Sequence, residues 1–353
     1  MHSALARAPE YGTGIRCRDP VNWKAIKLIV DTATGSRMAK SLMYPRMVKA
    51  IKRHGIESLT PSWRYRYCCA RLALGDFSSY WGWQFRNYKD DDPDSAWAAQ
   101  LYYNNTWIPK WSGEFVDTLL VLSEQGLGDC VFFASIIPEA MIRCRDVRYE
   151  TESRLHSLLE RSLPGLVCDE ERPFEERRRG DAYIPAADLL RMFRRDKSHF
   201  PGRAYLRPDP ARIAEMERYR GRTGVSWRGR QGAIDPMKLG IDNPLSLQYG
   251  EQHPCIEVPD IDLHDDIEGV VALASVLKKL VTVPTTAHHL AGAVGTKTEI
   301  IIPDIAGEVE SQIHWDHPCH GVESNRLPWY PNATVFAGIK QWKELAWQSK
   351  SNP

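Results

Sequence analysis

A short apolar run followed by a glycine-containing turn begins the most regular part of the chain. Thr118-Leu-Leu-Val-Leu122 is almost uninterrupted in its apolar character, as is typical of a parallel strand that is buried on both faces. Ser-Glu-Gln-Gly-Leu-Gly-Asp comes next, and the pattern over 131–142 then predicts a helix. A strand, a glycine turn and a helix in this order predict the start of a doubly wound α/β domain.

Strand-like and helical segments alternate again in the C-terminal half. Apolar residues at three- and four-residue spacing predict a helix over 266–279, and another helix is predicted over 286–294. Because strands that alternate with helices form parallel sheets, this half predicts a second α/β domain. Its predicted strands lie within 224–227, 244–248, 280–283 and 299–303.

The first part of the chain is predicted to be helical and basic. Apolar residues recur at helical spacing from 21 to about 87, without a second copy at the period of about 34 residues that a helical repeat array shows. Residues 1–75 hold 14 Lys and Arg against 4 Asp and Glu, whereas the remainder holds 32 against 41. The predicted organisation is a basic helical module (1–105), a Rossmann-like domain (106–205), and a second Rossmann-like domain with a tail helix (206–353).

Length and composition limit the class of protein. A chain of 353 residues is long enough for two or three domains with their own cores. It has no apolar run of the length needed to span a membrane and no apolar signal region at its N-terminus. The eight cysteines are scattered without a CxxC pair, which predicts reduced thiols. We therefore expect a cytoplasmic protein, in a bacterial or virus-infected bacterial cell.

The turn Gln125-Gly-Leu-Gly-Asp129 is the first candidate site. Gly126 and Gly128 let the backbone approach a ligand at the start of a helix, and Asp129 is placed to act as a general base. The alternative is that Asp129 only caps the helix. The turn lacks the third glycine of the dinucleotide-binding fingerprint, which argues against a dehydrogenase.

A second candidate site lies at the start of the helix predicted over 286–294. The hydroxyls of Thr285 and Thr286, together with free backbone amides, suit a diphosphate, although the two threonines are also ordinary helix caps. Arg228 or Arg230, after a predicted strand, is suited to clamp a phosphate, but a solvated arginine loop has the same composition.

Two further sets of residues carry weaker signals. Gln248 and Tyr249 follow a predicted strand and are candidates to hold a nucleobase or its ribose. A histidine-rich stretch has spacing that suggests a metal site, but no complementary pair of ligands stands elsewhere, so we predict no metal. That stretch contains His314, His317, Cys319 and His320.

An ordered series of segments resembles a known family. Trp111-Ser-Gly-Glu and the strand and turn that end at Asp129 resemble the first strand and turn of bacterial repeat-linked glycosyltransferases. These are relatives of the ADP-heptose heptosyltransferases and, more distantly, of O-GlcNAc transferase. The other similar segments, in order, are Tyr205-Leu-Arg-Pro-Asp-Pro-Ala-Arg-Ile, Ser246-Leu-Gln, His289-Leu-Ala-Gly-Ala and Pro328-Trp-Tyr-Pro-Asn-Ala-Thr-Val-Phe.

The resemblance implies a GT-B fold, in which two Rossmann-like domains close around a nucleotide-activated sugar. It implies metal-independent inversion at the anomeric carbon, Asp129 as the base, and a tail helix over 339–348 that crosses back onto the first domain. The nucleotide sugar is a co-substrate and no other cofactor is implied. With the residues above, the predicted donor-binding set is Gly126, Gly128, Trp227, Arg228, Arg230, Gln248, Tyr249, Thr285, Thr286, Ala287, His289 and Gly292.

The chain departs from the family pattern in two places. Pro284 stands where the family usually has an aspartate that contacts the donor sugar, and the region between Trp227 and Ser246 is short. Both departures leave the donor sugar open. The first also motivates an alternative from another class, a non-catalytic nucleotide-binding or interaction module.

The basic module suggests a polyanionic acceptor. It interleaves aromatic rings with arginines in Ser62-Trp-Arg-Tyr-Arg-Tyr67, as nucleic-acid-binding surfaces do, although a helix pair with solvated lysines has the same composition. One version of the acceptor is a hydroxymethylated base of viral DNA, and another is a phosphorylated lipid saccharide. The predicted acceptor-binding residues are Arg37, Lys40, Lys49, Arg53, Arg64 and Arg66.

Overall fold

The computed structural model describes residues 102–103, 106–123, 126–169, 180–230, 232–303 and 326–351. All six predicted acceptor-binding residues lie outside these ranges, and so does the predicted helical module apart from residues 102–103. These two residues form strand β1 (Tyr102–Tyr103), which pairs antiparallel with β2 (Thr106–Trp107).

Four parallel strands form the first sheet, in the spatial order β5-β4-β3-β6. The strands are β3 (Val116–Leu122), β4 (Cys144–Glu150), β5 (Leu166–Asp169) and β6 (Ala182–Pro185). The predicted apolar run lies in β3, where residues 119–122 are all buried. Burial on both faces explains why apolar and polar residues do not alternate there.

Helices cover the first sheet. They are α1 (Leu127–Ala134), α2 (Ile137–Met141), α3 (His156–Ser162) and α4 (Ala186–Phe193). The single helix predicted over 131–142 is therefore two helices. Pro138 lies in the first turn of α2, where a backbone N–H would have no partner within the helix, so its absence costs nothing. Proline could not continue α1, and the chain therefore starts a new helix there.

Five parallel strands form the second sheet, in the order β10-β7-β11-β12-β13. The strands are β7 (Thr223–Ser226), β10 (Leu245–Ser246), β11 (Lys279–Thr282), β12 (Thr298–Ile302) and β13 (Ala333–Ala337), and a small hairpin, β8 (Arg228–Gly229) with β9 (Gly232–Ala233), follows β7. The helices are α5 (Pro210–Met216), α6 (Ile267–Val276), α7 (Thr286–Val294) and α8 (Gly338–Ser351). The predicted α/β class with two Rossmann-like domains is confirmed.

One hydrophobic core runs through both domains. Phe132 of α1 packs its ring against Trp329, with 5.4 Å between the ring centroids, and both residues belong to the same buried cluster. The predicted boundary at residue 205 lies in the segment that joins α4 to α5. There the hydroxyl of Tyr205 donates to the carbonyl of Val131 at 2.7 Å, and Arg161 of α3 pairs with Glu268 of α6.

The tail helix packs against the second sheet. The indole N–H of Trp342 donates to Glu299 Oε2 at 2.8 Å, and Lys279 Nζ lies 2.8 Å from the same oxygen. Burial acts to raise the pKa of Glu299, but the hydrogen bond and charge of Lys279 outweigh it, so this pKa lies below its ordinary value. The predicted return of the tail helix to the first domain stays a prediction.

Four cysteines lie within the described residues, and none of them forms a disulfide. Cys130, Cys144 and Cys168 are buried, and Cys255 is exposed. Burial raises the pKa of the Cys168 thiol to about 12, so this group is protonated at neutral pH.

Candidate functional site

Each sheet reverses its strand order beside its first long strand. In the first sheet β3 lies between β4 and β6, and in the second β7 lies between β10 and β11. In open parallel sheets, ligands bind at the carboxyl ends of the strands at such a switch point. The chain leaves these carboxyl ends through the segments that the sequence predicts as donor sites, at 126–129, 227–230, 248–249 and 284–287.

Asp129 lies in the first turn of α1 and caps it. Its Oδ2 accepts a hydrogen bond from the backbone N–H of Gly126, the N-cap residue, at 3.0 Å. The side chain is neither fully buried nor fully exposed. The capping interaction that the sequence offers as an alternative is therefore present, and the predicted role of Asp129 as a base stays a prediction.

The first turn of α7 is ordered by its own side chains. Thr285 is the N-cap residue, and its backbone N–H donates to Nδ1 of His288 at 3.0 Å. Its hydroxyl lies 3.4 Å from that of Thr282, at the end of β11. Both hydroxyl groups and the N-terminus of α7 thus lie at the carboxyl edge of the second sheet.

The N-termini of α1 and α7 are in direct contact across the two domains. A Cβ added at Gly128 would lie 2.7 Å from His289 Cδ2 and 3.3 Å from Thr286 Cα. The absence of a side chain at Gly128 therefore permits the close approach of the two helices. The sequence predicts Gly128 as a residue that lets the backbone approach a ligand, and the structure shows that it already approaches another helix.

His289 and Gly292 make their described contacts inside the protein. Nδ1 of His289 is 2.8 Å from the hydroxyl of Tyr330, and its ring lies against that of His288, tilted by 37° with centroids 3.9 Å apart. A Cβ at Gly292 would lie 2.5 Å from the ring of Tyr330. Tyr330, which the sequence analysis did not single out, therefore packs directly against α7. The donor-binding roles of His289, Gly292 and the buried Ala287 stay predictions.

Gln248 is buried and hydrogen-bonded within the protein. Its Oε1 accepts from the backbone N–H groups of Trp227 and Arg228, at 3.1 and 2.9 Å, and from the hydroxyl of Ser226 at 3.2 Å. Its Nε2 donates to the carbonyl of Tyr249 at 3.1 Å. These bonds hold the loop after β7, and the predicted contact of Gln248 with a nucleobase or ribose stays a prediction.

Arg228 is held by a residue that the sequence analysis missed. Its guanidinium forms an ion pair with Glu251, in which Nη2 lies 3.4 Å from Oε1. The hydrogen bond from Arg228 holds the pKa of Glu251 below its ordinary value, and the indole of Trp227 contributes to the same effect. The only signal available was a carboxylate three residues after Gln248, which is too common to identify alone.

Of the other predicted donor residues in this region, Trp227 is buried, whereas Arg230 and Tyr249 are exposed. Arg230 lies at the turn of the β8–β9 hairpin, and Tyr249 is exposed over 54% of its surface. The ring of Tyr249 meets that of His264 edge to face, with centroids 5.3 Å apart.

The histidine-rich stretch lies outside the described residues. Among the residues that are described, no three His, Cys, Asp or Glu side chains group as metal ligands would, and no helix is long and apolar enough to cross a membrane.

No protein-family model matches the chain, but one curated protein does. Protein FlbA of Caulobacter vibrioides is 27% identical over an alignment of 277 residues, which covers 64% of this chain and 44% of FlbA. The matched region thus spans less than half of that relative.

Solved structures of glycosyltransferases are similar in fold. A glycosyltransferase family 9 protein from Veillonella parvula matches 68% of this chain and 91% of its own, with 10% identity and a TM-score of 0.39. The ADP-heptose LPS heptosyltransferase II of E. coli matches 66% and 99%, with 11% identity and a TM-score of 0.43. The iron-containing dodecameric glycosyltransferase TibC of enterotoxigenic E. coli matches 66% and 64%, with 11% identity and a TM-score of 0.40.

The resemblance to the heptosyltransferases, and the more distant resemblance to O-GlcNAc transferase, stay predictions for this chain.

Proposed function

We propose that this protein is an inverting glycosyltransferase that takes its sugar from a nucleotide-diphosphate donor. The observation that carries the proposal is the meeting of the N-termini of α1 and α7, one from each domain, at the switch points of both sheets. Each helix N-terminus bears partial positive charge and backbone N–H groups that suit an anion. A carboxylate, Asp129, lies in the first turn of one of the two helices.

In this proposal the donor diphosphate lies at the N-terminus of α7. Thr285 and Thr286 offer hydroxyl groups there, and Arg228 lies one residue from Gly229, which touches Pro284 and Thr285. The positive end of the helix and the guanidinium would stabilise the negative charge that builds on the diphosphate as it leaves the sugar. The pocket for the nucleoside is then the exposed edge near Tyr249.

Asp129 is the proposed general base. It would take the proton from an acceptor hydroxyl, whose oxygen forms a bond to the anomeric carbon as the bond to the diphosphate oxygen breaks on the opposite face. The configuration at that carbon would invert. One carboxylate oxygen of Asp129 accepts from Gly126, so the base would be held in place by its own helix start.

The proposed acceptor is polyanionic, because the N-terminal 75 residues carry a net charge of +10 from 14 basic and 4 acidic residues. A hydroxymethylated base in DNA and a phosphorylated lipid saccharide are the two versions. Binding to DNA would weaken steeply with added salt and would not depend on a lipid glycan.

A non-catalytic nucleotide-binding module is the second candidate, and Pro284 favours it. A proline has no carboxylate with which to contact a donor sugar, and its carbonyl faces Gly229, with only 2.3 Å to an added Cβ there. The same nucleotide site would then serve for recognition alone.

A panel of UDP-, GDP-, ADP- and CMP-sugars, scored for hydrolysis and for transfer, tests the proposal. Acceptors are DNA containing 5-hydroxymethylcytosine or 5-hydroxymethyluracil and a phosphorylated lipid saccharide. In Asp129→Asn the amide oxygen can still accept from Gly126, so the helix cap remains and only the basic carboxylate is lost. Asp242→Asn, at an exposed site in the same protein, is the matched control.

We expect turnover that falls at least about a hundredfold in Asp129→Asn and is unchanged in Asp242→Asn, the range typical for loss of a general base. Nucleotide binding with no turnover of any donor would replace the proposal by the non-catalytic module. Equal turnover in Asp129→Asn and wild type would rule out Asp129 as the base.

A further inference from the structure

Gln248 joins the end of β10 to the loop after β7. Both of its polar groups are used: Oε1 accepts from Trp227 N, Arg228 N and Ser226 Oγ, and Nε2 donates to Tyr249 O. Because backbone N–H groups can only donate, they fix which end of the amide is the oxygen. The side chain is 7% exposed.

The loop that Gln248 holds touches the start of α7. A Cβ at Gly229 would lie 2.3 Å from the carbonyl oxygen of Pro284 and 3.0 Å from Thr285 Cγ2, so the backbone of the loop lies directly against the N-cap of the helix. A movement of Trp227 or Arg228 would therefore also move Gly229, which lies against the N-terminus of α7.

The same segment also holds the side chains of the loop. Glu251, three residues after Gln248, accepts hydrogen bonds from the guanidinium of Arg228. It also interacts through a side-chain hydrogen bond with Trp227. Residues 248–251 thus fix the loop through its backbone at Gln248 and through its side chains at Glu251.

We propose that Gln248 is a positioning residue for the diphosphate site. It acts by holding the Trp227–Gly229 loop against the N-terminus of α7, and it does not contact the donor. This assignment rests on the proposed function, since it presumes that a diphosphate binds at that helix. Gln248 is thus expected to affect binding of the diphosphate end of the donor. The position of Gln248 next to Tyr249 would, taken alone, suggest the nucleoside end.

The test compares Gln248→Met with the matched control Gln252→Met, which makes the same change at an exposed position of the same loop. Calorimetry with inorganic pyrophosphate, and with the nucleoside diphosphate that binds wild type best, measures the site. Hydrogen exchange at Trp227 and Arg228 measures the loop. We expect faster exchange and about tenfold weaker pyrophosphate binding in Gln248→Met, a factor equivalent to about one net hydrogen bond, and no change in Gln252→Met.

A second variant tests the same position without touching Gln248. Gly229→Ala should push the loop away from Pro284 and Thr285 and weaken pyrophosphate binding by a similar factor. Circular dichroism should show that this variant is folded. The glutamine variant has a further readout: in Gln248→Glu, a protonated carboxyl group has the same acceptor and donor as the amide. The affinity of this variant relative to wild type should therefore recover at low pH.

Unchanged pyrophosphate affinity in either folded variant overturns the positioning role, as does loosened exchange in Gln248→Met without loss of affinity. If wild type itself binds neither pyrophosphate nor any nucleoside diphosphate, the proposed function fails first, and the assignment of Gln248 falls with it.

Discussion

The contact between α1 and α7 makes a quantitative prediction at Gly128. In Gly128→Ala the new methyl group would lie 2.7 Å from His289 Cδ2 and 3.3 Å from the backbone Cα of Thr286. The imidazole cannot easily turn away, because its Nδ1 is hydrogen-bonded to the hydroxyl of Tyr330 and its ring lies against that of His288. The two helices must therefore move apart.

Two opposing effects set the magnitude. An extra methyl group in a tightly packed interior costs about 1–3 kcal/mol, whereas replacing glycine by alanine within a helix gains up to about 1 kcal/mol. We expect Gly128→Ala to lower the free energy of unfolding by about 1–2 kcal/mol, measured by urea unfolding followed by circular dichroism. Since the shift separates the two helix N-termini, nucleoside diphosphate binding should weaken as well.

Gly126→Ala is the matched control, two residues earlier in the same turn. The nearest atom to a Cβ there is Asp129 Oδ2 at 3.8 Å, an ordinary contact, so only the modest preference for glycine over alanine at an N-cap is lost, about 0.5 kcal/mol. If Gly128→Ala is as stable as Gly126→Ala, the two helices do not pack as closely as described and the reasoning is refuted.

Two further substitutions test the buried polar contacts. Glu299→Gln should cost about 1.5–3 kcal/mol at pH 7, since it weakens charged hydrogen bonds to Lys279 and Trp342, and the exposed Glu344→Gln should cost nothing measurable. Because the pKa of Glu299 is lowered in the folded protein, its stabilisation is present above the ordinary value of 4.5 and is lost as the pH falls through the lowered pKa. The difference in unfolding free energy between wild type and Glu299→Gln, measured by urea unfolding, should be smaller at pH 4 than at pH 7. A difference that grows on acidification would contradict the assignment. Tyr330→Phe removes the hydroxyl bonded to His289 and should lower the melting temperature by an amount equivalent to about 1–3 kcal/mol, against no change for the exposed Tyr249→Phe.

The sequence was sufficient for the strands that are buried on both faces. A nearly continuous apolar run identified β3, and the glycine turn after it identified the start of α1. Strand-like segments in the C-terminal half identified β7, β10, β11 and β12. It was not sufficient for β4, where Cys-Arg-Asp-Val-Arg-Tyr-Glu mixes charged and apolar residues. Arg148 there pairs with Asp146 of the same strand and with Asp169 of β5, a neighbouring strand that the sequence does not identify.

The candidate site was predicted in its location better than in its contacts. Motifs at the ends of strands predicted Asp129 at the carboxyl edge of the first sheet and Thr285 and Gln248 at that of the second, because parallel strands carry their carboxyl ends to the same side of a sheet. Their partners come from distant parts of the chain. Gln248 bonds Trp227 and Arg228 more than 19 residues away, and no spacing rule links a glutamine to the backbone of another loop.

Three contacts that α7 makes with other segments depend on glycines. Gly128 brings α1 against the N-terminal half of α7 from the first domain, Gly229 brings the loop after β7 against its N-cap, and Tyr330 fills the space beside Gly292 near its C-terminal end. Two of these three contacts are permitted by a glycine on the approaching segment and the third by a glycine on α7 itself. A side chain added at any of the three glycines would therefore displace the same helix. If α7 holds the donor diphosphate, substitutions in both domains should alter donor affinity together.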